Sequence, residues 1–294
     1  MRQITLIHGP WHLELAPSVG GSIAALAYDG QDMLRRASPE AMTGAEAREM
    51  ASFPLVPFSN RIEHGRFTFE GREIVLAPNM DDHPHPLHGA GWRAAWDVAD
   101  ETPTSAALTY MHEEGAWPWR YQARQDFDLA GDILTVRLGL TNLSDRPMPA
   151  GLGHHPYFPR TPGVTLTTGV THLWEATSEQ IPIRQVALPA ALDFRQGLAI
   201  EDLDLDHCFA GWSRDALIAW PGLRYRLRMS GDATLKHLVV YTPRGRDFFC
   251  VEGVENMNNA FNWMSRGVPT GVHVLAPGAT HAVSTMFRAE PVAG

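Results

Sequence analysis

The chain has 294 residues, 44% hydrophobic and 19% charged, with a formal net charge of −9 at pH 7. The apolar share can fill a sizeable core, which excludes a disordered chain. The acidic balance argues against a nucleic-acid or anionic-membrane surface. Only Lys236 could support Schiff-base chemistry, and 14 histidines point to proton transfer or metal binding. At roughly 150 residues per domain the length suggests two domains, but large all-β folds take roughly 200–250 residues or more in one. One domain over residues 1–294 is expected.

The dominant period along the chain is two. Trp11–Leu15 and Arg66–Glu70 alternate apolar and polar residues, the pattern of a half-buried strand. Ser105–Met111, Asp132–Leu138, Leu223–Leu227 and Lys236–Tyr241 read as strands rich in Val, Leu, Thr and Tyr. Asp29-Gly30 and Glu70-Gly71 predict hairpin turns, and Pro243–Asp247 predicts a turn before a strand over Asp247–Glu252. Ser38–Met50 predicts a helix, with Ser38 as N-cap and Pro39 at its first position, and a second short helix is expected in Asn256–Trp263. Many short strands between frequent turns favour an all-β sandwich. Neither G-x-G-x-x-G after a strand nor G-x-x-x-x-G-K-[ST] occurs, so nucleotide binding has no support.

Cys208 and Cys250 are too few for a disulfide framework. The first ten residues lack the apolar run of a signal peptide. No apolar stretch approaches the ~18 residues needed to span a bilayer. These features lead to the expectation of a soluble cytoplasmic protein that does not engage membranes.

Five segments could carry chemistry. In Pro54–Ile62, Arg61 ends an apolar run and presents a fork of donors suited to hydroxyls or to a structural carboxylate such as Glu63. In His83–Gly89, three histidines invite a metal, but the run lacks a recognised ligand spacing. The alternative is that His88 enters a pocket beside Gly89, whose small size lets a substrate approach, while His83 and His85 are surface loop residues. In Gly151–Pro159, His154 and His155 should face opposite sides of an extended chain. Either a pocket histidine that moves protons or a core histidine fits there.

In Asp202–Phe209, Asp202 and Asp204 read as a solvated strand face, whereas Asp206 abuts an apolar run and could accept from neighbouring hydroxyls. An EF-hand is excluded, because the loop has neither the glycine nor the terminal glutamate. In Phe248–Gly253, alternation puts Phe248, Cys250 and Glu252 on one face. Burial would raise the Glu252 carboxyl toward neutrality, although a strand-end ion pair fits equally. Glu255 is less confined by its neighbours and ranks lower. Trp92 and Trp212 lie close to these motifs and could cover a sugar ring or belong to the core.

Taken together the motifs resemble the aldose 1-epimerase (galactose mutarotase) family. The resemblance runs in order through Leu15–Ile23, Tyr28-Asp29-Gly30, Asn60-Arg61-Ile62, Leu87-His88-Gly89, His155–Phe158, Asp206–Phe209 and Val251-Glu252. It implies a large antiparallel β-supersandwich with few short helices and the sugar site on its concave face. It implies Glu252 as catalytic base and His155 as catalytic acid. Arg61, His88 and Asp206 would hold the ring oxygen and hydroxyls of a monosaccharide, with no cofactor or metal. His154 stands where many members have Asn, which bears on substrate preference.

Proton transfer to and from a ring-opening sugar then leads to the expectation of an ionised Glu252, a protonated His155 and a bell-shaped pH profile. Two alternatives stay beside this reading: a non-catalytic carbohydrate-binding or sensing protein on the same fold, and a hexose-phosphate 1-epimerase. A phosphate would need a basic cluster, and the adjacent pair Arg35-Arg36 lies outside the motifs. A metal-dependent hydrolase using His83, His85 and His88 is a third.

Overall fold

The computed structural model describes residues 2–80 and 83–292. Two antiparallel sheets dominate it. One runs, in spatial order, Ile4–His8, Trp11–Ala16, Ser22–Tyr28, Ser52–Leu55, Gly153–Pro159, Phe248–Val254, His237–Tyr241, Asp206–Ala210, His172–Ala176 and Pro182–Ala187. The other runs Leu198–Ala199, Thr165–Thr168, Asp215–Ala219, Tyr225–Gly231, Thr280–Pro291, Ile133–Asn142, Tyr121–Ala130, Ser105–His112 and Asp97–Glu101. The expected all-β sandwich is therefore the observed architecture. Among the described residues no helix is long and apolar enough to cross a membrane.

Both faces of the first sheet's central strands are buried. Phe158, Phe249, Val251, Leu238 and Val240 pack with Val136, Leu138 and Phe287 of the second sheet, forming the core between the sheets. Their alternate neighbours Tyr157, Cys250 and Val239 join Phe53, Trp92, Met257 and Trp263 in a separate cluster on the outer face. A strand's side chains alternate between faces, so the same strands fill the core and build a second, smaller apolar layer. Loops and short helices cover that layer, and the candidate site lies within it.

The strands expected from alternation are present with ends shifted by a few residues. Both dipeptide turns are tight hairpins with positive φ at each residue: 51° and 75° at Asp29-Gly30, 49° and 76° at Glu70-Gly71. That is the backbone of a type I′ turn, whose twist matches the flanking strands. The helix expected over Ser38–Met50 is shorter. Ser38 Oγ does accept from Ala41 N at 3.1 Å with Pro39 at the first turn, but the α-helix stops at Gly44. Ala45 turns left-handed, and Glu46 then caps a separate 3-10 turn, Ala47–Glu49. A second capping side chain after a glycine outcompetes continuation of the helix.

The second expected helix is confined to Ala260–Trp263. Asn256 is held out of it because its amide both accepts from Ser59 N and donates to Ser59 O, each at 3.0 Å. Asp202 and Asp204 are exposed, as expected, but precede the strand Asp206–Ala210 and lie on no strand themselves. Trp212 belongs to the core, with Nε1 donating to Thr168 Oγ1 and its ring beneath Gly231 and Gly253.

Phe249 is fully buried and stacks on Phe158 at 5.5 Å between the sheets. Phe249→Ala should cost about 3–5 kcal/mol, read as a lower denaturant midpoint with an unchanged m-value.

Candidate active site

His155 and Glu252 come together through strand register. Gly153 lies opposite Val254 and Tyr157 opposite Cys250, which sets His155 across from Glu252 on the outer face. His155 Nε2 is 3.3 Å from Glu252 Oε1, and both side chains are almost wholly buried. The imidazole is sandwiched between Phe53, at 4.5 Å, and Tyr157, at 4.7 Å, both rings close to parallel with it. Arg35 lies 4.1 Å over the far side of Tyr157 and donates to the carbonyls of Arg48 and Met50. The pair Arg35-Arg36 is thus divided, one member buttressing the stack and the other bound to Glu14 and Asp32 at the surface.

As expected from alternation, His154 points the other way. Its Nδ1 lies 3.3 Å from Thr285 Oγ1 of the second sheet, so its side chain belongs to the sandwich interior.

Arg61, His88 and Asp206 meet the pair around one cavity of about 320 Å³, also lined by Asn60, Met80, Trp92, Tyr241, Arg48 and Arg246. Its volume is in the range of small-molecule sites, about 300–1,000 Å³. Arg61 does not pair with Glu63. Its Nη2 donates to Asp206 Oδ2 at 3.2 Å, Nη1 to Asn60 Oδ1 at 3.1 Å and Nε to His83 Nε2 at 3.1 Å. Glu63 instead accepts from Asn259 Nδ2. Asn60 N donates to His88 Nδ1 at 3.0 Å. In a neutral ring that acceptor role puts the proton on Nε2, making it a donor.

The glycine beside His88 serves packing rather than access. A Cβ on Gly89, at φ +67°, would lie 2.5 Å from Val56 O and 2.4 Å from Pro57 Cδ.

His83 and His85 depart from the surface-loop expectation. His83 orients Arg61, while His85 is fully buried and accepts from His64 N at 2.9 Å through Nδ1. His83 Nε2 and the Nδ1 atoms of His85 and His88 therefore already accept from guanidinium and backbone donors, and His85 Nε2 lies toward Glu179 at 3.5 Å rather than toward the other two rings' acceptor nitrogens. Side chains able to converge on an ion are found elsewhere. One group is His155, Cys250 and Glu252; the other is Glu255, His273 and His281. Glu255, far from being loosely confined, is buried completely. No local pattern signals its partners, which arrive from strands about 20 residues further on.

Burial governs the ionisation here. It pulls the His155 imidazole down to about 3 and pushes the Glu252 carboxyl well above the usual range, with Asp206 reinforcing the rise and Arg61 opposing it. His88 is also held well below its ordinary value, by burial first and then by His155 and Arg61. The expected resting state, an ionised Glu252 beside a protonated His155, is thus reversed. Both directions favour an uncharged imidazole beside an uncharged carboxyl, because two uncharged groups cost less to bury than two ions. Among the described residues Glu252 Oε2 and His155 Nδ1 have no hydrogen-bond partner.

Two packed antiparallel sheets with an acid–base pair on the outer layer place the molecule in the class of galactose mutarotase-like β-sandwiches. The family model for aldose 1-epimerase matches residues 2–288. The chain belongs to the aldose 1-epimerase family, which places it among sugar epimerases. It is 32% identical to the uncharacterized protein YphB of Escherichia coli strain K12, over 97% of this chain and 98% of that one. A solved structure from Escherichia coli K12, provisionally named an aldose 1-epimerase, superposes with a TM-score of 0.91 at 29% identity and 99% coverage of both chains. A galactose mutarotase-like protein from Clostridium acetobutylicum shares the fold, with a TM-score of 0.89 at 18% identity over 99% of this chain and 95% of its own.

Two outcomes follow from this geometry. Gly89→Ala should destabilise the protein by about 2 kcal/mol or more, since the position combines positive φ with backbone contact, and thermal denaturation measures it. Burial also lowers His154 to about 4, His155 to about 3 and His237 to about 4. These rings are neutral when folded but protonate near pH 6.5 when unfolded. Stability should therefore fall as pH drops below about 6.5. Glu252 and His273, both raised in the fold, oppose this, while His88, His85 and His112, lowered by burial, add to it. Between pH 7 and 5 the melting temperature should fall by about 5 °C or more.

Proposed function

We propose that the protein is a mutarotase that interconverts the α and β anomers of a free aldose. The observation that carries this reading is the 3.3 Å contact between His155 and Glu252 at a cavity shared with Arg61, His88 and Asp206. A pyranose opens when its C1 hydroxyl loses a proton and its ring oxygen gains one. The C1–C2 bond of the open aldehyde then rotates, and the ring closes on the other face of the carbonyl. One group must hold a proton and another must accept one, and the buried pair supplies both without net charge.

In this proposal Glu252 takes the C1 hydroxyl proton and His155 protonates the ring oxygen, with the roles reversed on closure. The proton resting on Glu252 passes to His155 across their contact as the sugar binds. The positive charge of Arg61 favours the resulting carboxylate, against the larger opposing effects of burial and Asp206. Arg61 and the donor nitrogen of His88 serve the ring oxygen and hydroxyls, and Asp206 accepts from hydroxyls. Trp92 offers an apolar wall. The described strands and shared core support one domain spanning the chain, and the two buried free thiols fit a reducing cytoplasm.

A hexose-phosphate epimerase is the second reading, favoured by Arg48 and Arg246. They are far apart in sequence but line the same cavity, Arg48 with its guanidinium held on Glu46, and they bring cations that the adjacent pair Arg35-Arg36 does not bring there.

Polarimetry on freshly dissolved α-aldoses tests the assignment. Wild type should accelerate mutarotation, and Glu252→Gln and His155→Ala should each lower kcat/KM by about 10²–10⁴-fold. Full activity in Glu252→Gln, or no acceleration of any aldose or hexose phosphate by wild type, overturns the reading. The pH profile of kcat/KM should be a plateau across neutrality. Its acid limb appears when the pair gains a second proton and its alkaline limb when it loses its one proton. Burial of both groups pushes the limbs apart.

A further inference from the structure

Outside the sugar cavity, three side chains from three different sheets converge on one point. Glu255 follows the strand Phe248–Val254 of the first sheet, His281 lies on Thr280–Pro291 of the second, and His273 lies on His273–Leu275, which pairs only with Met148–Ala150. Glu255 Oε1 is 3.0 Å from His273 Nε2 and 2.8 Å from His281 Nε2. The carboxylate is held rigidly, since its Oε2 accepts from Leu152 N at 3.0 Å and its side chain is fully buried. The two imidazoles stack at 4.2 Å, which keeps both Nε2 atoms on the side of the carboxylate. They are also the partly exposed members, at 36% and 21%, so they can tilt and leave room for a water ligand.

We propose that Glu255, His273 and His281 form a binding site for a divalent first-row transition ion of the Zn²⁺ type. For metal–ligand bonds of roughly 2.1 Å, separations of 2.8 and 3.0 Å subtend angles of about 85–90°. Those are cis positions of a five- or six-coordinate ion, with the remaining positions open to water. Two imidazoles and one carboxylate suit Zn²⁺ and its neighbours rather than Ca²⁺ or Mg²⁺, which bind through several oxygens. The nearby ammonium of Lys236 acts on His273 and further disfavours a cation held by charge alone. The ion would clamp the end of the first sheet's central strand to the second sheet. Its role is to hold the fold, three residues beyond Glu252, and it takes no part in the sugar chemistry.

The test uses the untagged full-length chain, stripped of metal by chelator and dialysis, and titrated with Zn²⁺ by calorimetry and thermal denaturation. The expected result is one equivalent bound per chain with the melting temperature raised by several degrees, as for any ligand selective for the folded state. His273→Gln and His281→Gln, which keep a donor toward Glu255, should each weaken binding about tenfold or more and remove the thermal shift. Their metal-free circular dichroism should match that of wild type. Co²⁺ serves as an optical probe: ligation by nitrogen and oxygen gives weak visible bands without sulfur-to-metal charge transfer.

Absence of uptake by wild type overturns the proposal. Undiminished uptake in both Gln variants does so too, as does a sulfur charge-transfer band, which places the ion at Cys250. If His281→Gln fails to fold, the more exposed His273→Gln alone decides. Mutarotase activity of the wild type has no bearing on these outcomes.

Discussion

The organisation of this molecule depends on burying an imidazole and a carboxyl against each other. His155 and Glu252 stand on neighbouring antiparallel strands, 3.3 Å apart and almost without solvent. Two charges at that depth would be expensive, so burial favours the uncharged form of the pair. In the proposed reaction that restriction makes two ordinary residues a matched donor and acceptor. The surrounding structure supports it: Phe53 and Tyr157 grip the ring, Arg35 backs Tyr157, and Phe53, Trp92, Tyr157, Met257 and Trp263 belong to one buried apolar cluster.

The second organising feature is a polar relay around Arg61. Asn60 accepts from the Arg61 guanidinium and donates its backbone N–H to His88, so one residue aligns two of the cavity's donors. His83 and Asp206 complete the guanidinium's partners. A histidine-rich loop that looks like a metal cluster in one dimension is thus a hydrogen-bonded scaffold, in which one nitrogen of each ring already accepts from a guanidinium or backbone donor. A second convergence of imidazole and carboxylate, besides His155 and Glu252, occurs at Glu255, where His273 and His281 arrive from strands distant in sequence.

Much of this is legible in the amino-acid sequence. The two-residue period gives the strands, and it also gives the sidedness of His154 against His155 and of Cys250 with Glu252, since parity along a strand is a local property. The turn dipeptides are equally legible, because Asp-Gly and Glu-Gly impose their own backbone. Helices are less so: Ser38–Met50 looks continuous in sequence, but the cap at Glu46 and the left-handed Ala45 stop it early. The burial of His85 and Glu255 is hidden, since neither has neighbours in sequence that reveal what packs over it.

The sequence by itself determined which residue types are available, which face of a strand each takes, and the order of motifs that marks the family. Only the tertiary structure decided the partners. Strand register set His155 opposite Glu252, Arg61 turned to Asp206 rather than to Glu63, and Arg48 and Arg246 arrived at one cavity from segments distant in sequence. It also decided where the proton rests, because ionisation of a buried pair depends on how completely the fold removes water, and that is a property of every layer packed around it.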